Sequence, residues 1–366
     1  MPLNQDQFRA IISGRRRDAT AAAVRSLLGA ATFGYGLAVR IRNALYDHHV
    51  FKTHRVNASV LSIGNLTTGG TGKTPLVVWL CRELAQYSAF GTQHYRVAVL
   101  TRGYKSTQHS AVSQQYSDEP AILARACGDV PVIVNPDRVA GAKAAMAKGA
   151  EVLVMDDGFQ HRRLARDLDV VAIDATLPFG YDRLLPAGLL REPPTALSRA
   201  QAAVITRSDF VRPDQLEQIE RTLRQVNPRL VVARAIHAPV AIQLADHRVM
   251  TAADLAGKRV YAFCGIGSPE AFFQTIEAHG AHLVGTMSFN DHYLCTAEDI
   301  RGVLQQAATA KADLVLTTEK NWLGLEPSLF DGRQAAGYLE IRLEVTAGRD
   351  ALIRLIRASI DSRIPV

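Results

Sequence analysis

From about residue 56 to 235, short apolar runs alternate with stretches of helical period. The runs 56–63, 97–101, 132–134, 152–155, 170–173 and 203–206 are apolar and mostly β-branched, and they predict strands. Between them, 75–87 and 139–148 repeat their apolar positions at helical spacing. Strands and helices in alternation predict an α/β fold, a mostly parallel sheet with helices on both faces. Further strands are expected at 260–263, 282–287 and 314–316, in a second, smaller α/β portion. The charged and polar stretch around 234–251 parts the two. The expected domains are thus an N-terminal segment (1–54), a core (55–235) and a smaller C-terminal α/β domain (236–366).

The N-terminal segment has a different pattern. Residues 26–39 carry no charge and are flanked by Arg25 and by Arg40 and Arg42. Spanning a bilayer takes ~20 apolar residues, so this run is short for that. As a helix it has a narrow polar stripe, Arg25, Gly29, Thr32, Gly36, Arg40, Asn43 and Asp47, within roughly an 80° arc at 100° per residue. The rest is mostly Leu, Ala, Val, Phe, Ile and Tyr. Such a helix can cap a protein domain, or lie in a membrane interface while Arg15, Arg16 and Arg17 meet anionic headgroups. Val39-Arg40-Ile41-Arg42 is not the small-residue site of a cleaved signal peptide.

Charge sharpens this reading. The 366 residues carry a formal charge of +7, yet nine Arg/Lys face three acids before residue 59. The basicity belongs to the N-terminus, and the near-neutral body argues against a nucleic-acid footprint. The four cysteines form no C-x-x-C pair and are expected as free thiols in a reducing cytosol.

The strongest motif is Gly64-Asn65-Leu66-Thr67-Thr68-Gly69-Gly70-Thr71-Gly72-Lys73-Thr74-Pro75, between an expected strand and an expected helix. That is the setting of a P-loop. Its backbone N–H groups can curl around phosphate oxygens, aided by the helix N-terminus. Lys73 can reach the outer phosphates, and the Thr74 hydroxyl is placed to ligate Mg²⁺. Thr67 replaces the usual first glycine, and Thr68 stands where partitioning ATPases carry a second lysine. The run 152–155 then delivers Asp156-Asp157-Gly158, with Asp156 as a carboxylate for the Mg²⁺ side. No N-K-x-D guanine-reading signature stands where a GTPase needs it. A nucleotide switch protein and a kinase of a soluble sugar both remain open on these residues alone.

Three polar clusters follow other elements: Arg102-Gly103-Tyr104-Lys105, Ser117-Asp118-Glu119-Pro120 and Phe289-Asn290-Asp291-His292-Tyr293. With the phosphate loop, Asp156-Asp157-Gly158-Phe159-Gln160-His161, Leu185-Pro186-Ala187-Gly188, Arg191-Glu192-Pro193, Phe263-Cys264-Gly265-Ile266-Gly267 and Thr318-Glu319-Lys320, the chain resembles the tetraacyldisaccharide 4'-kinase family of lipid A biosynthesis. The resemblance implies transfer of the ATP γ-phosphate to the 4'-hydroxyl of a tetraacylated glucosamine disaccharide 1-phosphate, giving lipid IVA. It also implies the cytoplasmic face of the bacterial inner membrane as the workplace.

It further assigns roles by residue. ATP would sit on Thr67, Thr68, Gly69, Gly70, Thr71, Gly72, Lys73 and Thr74. Thr74, Glu119 and Asp156 would surround Mg²⁺. Asp118 would be the base for the sugar hydroxyl, oriented by His292 or sharing the proton with it. Asp157, Gln160, Arg191 and Glu192 would line the acceptor side. The site is expected in a cleft whose closure brings His292 toward Asp118 and excludes water.

Overall fold

The computed structural model describes residues 5–90, 95–103, 118–290, 293–330 and 335–363. In chain order the elements are α1 (Gln5–Ile12), α2 (Ala19–Asp47), β1 (Ser59–Asn65), α3 (Lys73–Phe90), β2 (Val97–Thr101), α4 (Asp118–Ala126), β3 (Val132–Val134), α5 (Arg138–Ala147) and β4 (Val152–Asp156). There follow β5 (Leu168–Asp174), β6 (Ala202–Thr206), α6 (Pro213–Val226), β7 (Val231–Leu244), β8 (Val249–Met250), β9 (Arg259–Cys264) and α7 (Pro269–Ala278). The last are β10 (His282–Ser288), α8 (Ala297–Thr309), β11 (Leu314–Thr318), α9 (Glu319–Trp322), β12 (Ala335–Ala347) and α10 (Arg349–Asp361).

Two compact units emerge, one of residues 1–105, 123–236 and 344–366, the other of 106–122 and 237–343. In the first, the strand order is β7-β6-β5-β1-β4-β2-β3. Every one of these pairings is parallel. β1, β4 and β5 are buried at every position, as expected of strands covered on both faces. Val60, Leu100, Leu153 and Met155 pack with Val139, Ala142 and Ala145 of α5. Val171, Ile173, Ala203 and Ile205 pack with Leu216, Ile219 and Leu223 of α6. α10 buries Leu352, Ile353, Ile356 and Ile360, a helical stripe, and packs on β1. In the second unit β10-β9-β11-β12 run parallel, and β8 pairs antiparallel with β7.

The mostly parallel α/β sheet expected from the alternation is present, and each expected strand has its counterpart. β7 and β12 were not expected. Much of β7 falls in the polar stretch taken to part the two portions, because its inward positions Ala233, Ala235 and His237 alternate with half-exposed ones.

α2 begins at Asp18, whose carboxylate accepts the Ala21 N–H at 2.9 Å as an N-cap. Thr32, Gly36 and Asn43 of its polar stripe turn toward the protein, while Gly29 and Arg40 stay exposed. Thr32 Oγ1 accepts the Ala187 N–H at 3.0 Å and lies 3.3 Å from the Leu184 carbonyl, while its hydroxyl also reaches the Leu28 carbonyl of its own helix at 2.8 Å. The Tyr35 hydroxyl donates to the Arg191 carbonyl at 2.9 Å, and Asn43 Nδ2 to Glu192 Oε2 at 2.7 Å. At the C-terminal end Arg162 bonds Asp47 at 2.6 Å and lies over the Tyr46 ring. Outward face Leu27, Phe33, Leu37 and Ile41, at 73%, 77%, 50% and 51% exposure. A soluble helix does the reverse.

Candidate active site

β1 delivers the phosphate loop. A Cβ on Gly64 would lie 2.5 Å from Phe159 Cβ, so glycine lets the Asp-Asp-Gly-Phe turn close on the strand end. Gly69 and Gly72 take φ of +107° and +81°, which other residues resist. Asn65 Nδ2 bonds Thr71 Oγ1 at 2.8 Å inside the loop. From β6, the Thr206 hydroxyl donates to the Thr71 carbonyl at 2.9 Å. Thr67 and Thr71 are buried, Thr68 is half-buried, and Gly69 and Gly70 are exposed. α3 then starts at Lys73, next to the half-buried Thr74.

β4 ends beside this loop, since β1 pairs with it as far as Ile63 opposite Asp156. Asp156 is buried at 4% exposure; Thr101 Oγ1 lies 3.5 Å from its carboxylate. Asp157 turns the chain with a left-handed φ of +51°, uncommon for a non-glycine residue. That turn sends its carboxylate between two cations. Lys73 Nζ stands 3.5 Å from Oδ1, and one Arg191 nitrogen donates to both oxygens at 2.9 Å. Burial would raise the Asp157 carboxyl; Lys73 and Arg191 outweigh it and hold the group below the usual aspartate value. Gln160 Nε2 donates to the Asn65 carbonyl at 2.9 Å, and its Oε1 lies 3.5 Å from Arg191. Lys73, Asp157, Gln160 and Arg191 therefore form one polar cluster at the phosphate loop.

Glu192 stands behind it. Its carboxylate is 1% exposed and takes hydrogen bonds from Arg199 at 3.0 and 3.2 Å and from Asn43, with Arg42 at 3.7 Å. All of these partners are protein groups. His161 is held far below its usual value, at about 4, first by burial and then by Arg138 and Arg166.

Asp118 and Glu119 open α4, but their side chains lie outside the described residues, as do Tyr104, Lys105, Asp291 and His292. Among the described residues no three His, Cys, Asp or Glu side chains gather as a metal cage. The hydroxyl of Thr74 and the carboxylate of Asp156 are nevertheless hard oxygen donors of the kind Mg²⁺ takes together with substrate phosphates. Reasoning from sequence missed Thr206 and the backbone of Leu189, which accepts the Thr68 N–H at 2.8 Å. Neither residue type carries a local signal, because both act through contacts distant in sequence.

Comparison with known proteins finds relatives along most of the chain. The model of the family described as Tetraacyldisaccharide-1-P 4'-kinase matches residues 24–361. The Tetraacyldisaccharide 4'-kinase of Halothermothrix orenii is 37% identical over 311 residues, covering 78% of this chain and 79% of that protein. Its counterpart in Anaeromyxobacter sp. strain Fw109-5 is 39% identical over 348 residues, covering 91% of each. A crystal structure of "apo" form LpxK from Aquifex aeolicus in complex with ATP aligns with a TM-score of 0.67 at 28% identity. That alignment covers 92% of this chain and 99% of the other.

Proposed function

From the tetraacyldisaccharide-1-P 4'-kinase family, to which this chain belongs, we infer how its own residues divide the work. The chain is a kinase of lipid A biosynthesis. It moves the γ-phosphate of ATP to the 4'-hydroxyl of tetraacyldisaccharide 1-phosphate and forms lipid IVA. The observation that carries the residue assignment is the Lys73–Asp157–Arg191 cluster, which joins the phosphate loop to the Asp-Asp-Gly turn.

ATP lies along Thr67–Thr74, with its outer phosphates against the loop N–H groups and Lys73. Thr74, Asp156 and Glu119 would hold Mg²⁺, which when bound neutralises phosphate charge. Asp118 accepts the 4'-hydroxyl proton as that oxygen attacks the γ-phosphorus and ADP leaves, with His292 orienting the carboxylate or sharing the proton. Asp157, Gln160 and Arg191 line the acceptor side, and Glu192 supports it from behind.

The substrate's acyl chains favour a lipid surface as the workplace, and the cytoplasmic face of the bacterial inner membrane is the one we propose. The outward apolar face of α2 supports this, as do Arg15, Arg16 and Arg17, all exposed just before it. α2 is 29 residues long, about 44 Å at 1.5 Å per residue, and is apolar enough to cross a bilayer by length and composition. Thr32, Asn43 and Asp47 of its polar stripe are bonded to the protein, which favours a helix lying along the surface. A matched assay with acylated and deacylated disaccharide 1-phosphate tests the assignment. Labelled phosphate should enter the acylated acceptor, whereas equal transfer to both would point to a kinase of soluble sugars.

A further inference from the structure

The segment 184–192 is gripped from two sides. On one side its backbone closes on the phosphate loop: the Arg191 N–H donates to the Leu66 carbonyl at 2.7 Å, and the Thr68 N–H to the Leu189 carbonyl at 2.8 Å. On the other side it meets α2, through Thr32, Tyr35 and Asn43. Arg191 is where the two grips converge. Its N–H is tied to the loop, its carbonyl accepts the Tyr35 hydroxyl at 2.9 Å, and its side chain reaches Asp157 at 2.9 Å.

The next residue completes the grip. A carboxylate as buried as that of Glu192, at 1% exposure, is costly unless its oxygens are answered. Asn43 answers one at 2.7 Å, and Arg199 reaches both at 3.0 and 3.2 Å. Glu192 thus has little freedom unless the helix moves with it. Arg191 is fixed by the same anchor, one peptide away.

We propose that Tyr35, Asn43 and Glu192 are positioning residues that clamp the backbone around Arg191, so that its guanidinium is held where the acceptor arrives. The outward-facing helix is then part of the acceptor site as well as a membrane anchor. This rests on the reading above that Arg191 lines the acceptor side. The phosphate loop's own bonds to residues 189–191 come from Leu66 and Thr68 and not from α2, so loss of the clamp should weaken use of the acceptor more than that of ATP.

The test uses the purified full chain with acceptor in mixed detergent micelles, where membrane affinity is not limiting. Tyr35→Phe keeps the ring and removes the hydroxyl; Asn43→Ala removes the donor to Glu192. Two hydrogen bonds of ordinary net strength predict about a tenfold fall in kcat/KM for the acceptor in the double variant. KM for ATP should stay within about twofold. Binding of a fluorescent ATP analogue checks folding independently of turnover. Equal losses for ATP and acceptor would make these residues merely structural and overturn the proposal. So would unchanged acceptor kinetics in the double variant while Arg191→Ala is impaired. If Arg191→Ala itself keeps normal acceptor kinetics, the reading beneath the proposal fails instead.

Discussion

Replacing Asp157 by Asn removes the negative charge between Lys73 and Arg191 and leaves the shape almost unchanged. Arg191 lies 2.9 Å from both carboxylate oxygens and Lys73 lies 3.5 Å from one. Charge-assisted hydrogen bonds contribute ~1.5–3 kcal/mol each. The Asp157 side chain is 28% exposed, so solvent screening reduces that sum, to about 2 kcal/mol. For a protein of 366 residues the melting temperature should fall by about 3 °C. The same substitution leaves two cations uncompensated beside the phosphate loop. ATP added in EDTA should therefore raise the variant's melting temperature by more than it raises that of the wild type. Acid provides a sign check. The Asp157 carboxyl is held below 3.8, so its contribution is complete above that pH and lost as pH falls through the lowered value. Wild type and variant should converge in strong acid. Equal melting temperatures at pH 7, or an equal response to ATP, would refute the claim that Asp157 balances these cations.

The other predictions concern the base, the anchor and a buried histidine. Asp118→Asn should lower kcat by about 10²–10⁴ and leave ATP binding largely intact in a labelled-phosphate assay; near-normal turnover would remove Asp118 as the base. Phe33→Asp with Leu37→Asp puts charges on the exposed face of α2, and vesicle sedimentation should show on the order of 100-fold weaker partitioning. The melting temperature should hardly change, and unaltered partitioning would contradict the anchor. His161 should titrate by NMR near pH 4 and stay neutral from pH 6 to 8, whereas a midpoint near 6.5 would contradict its burial among arginines. Because its value is lowered, it favours the fold above pH 6.5, an effect that fades as pH falls toward 4.

Those residues differ in how readily the sequence reveals them. β1, β4 and β5 are continuous apolar runs because both faces are covered, and such runs stand out in any window. The phosphate loop is equally plain, because glycines, Lys73 and Thr74 act within one short segment. β12 escaped because exposed Glu344 and Thr346 interrupt its apolar positions. The helical pattern of α2 was readable, but a polar stripe does not state which way it faces. Only the bonds to Thr32, Tyr35 and Asn43 show it turned to the protein. Glu192 illustrates the same limit. Its motif marks it for the acceptor side, while its burial depends on Asn43, 149 positions away in sequence.

The decisive measurement is phosphorus NMR of the product made by the purified chain from ATP, Mg²⁺ and tetraacyldisaccharide 1-phosphate in vesicles. A second phosphomonoester coupled to the proton at the 4' carbon, formed in step with ADP, is the predicted result. ADP accompanied only by inorganic phosphate, or a phosphate at another sugar position, would contradict it.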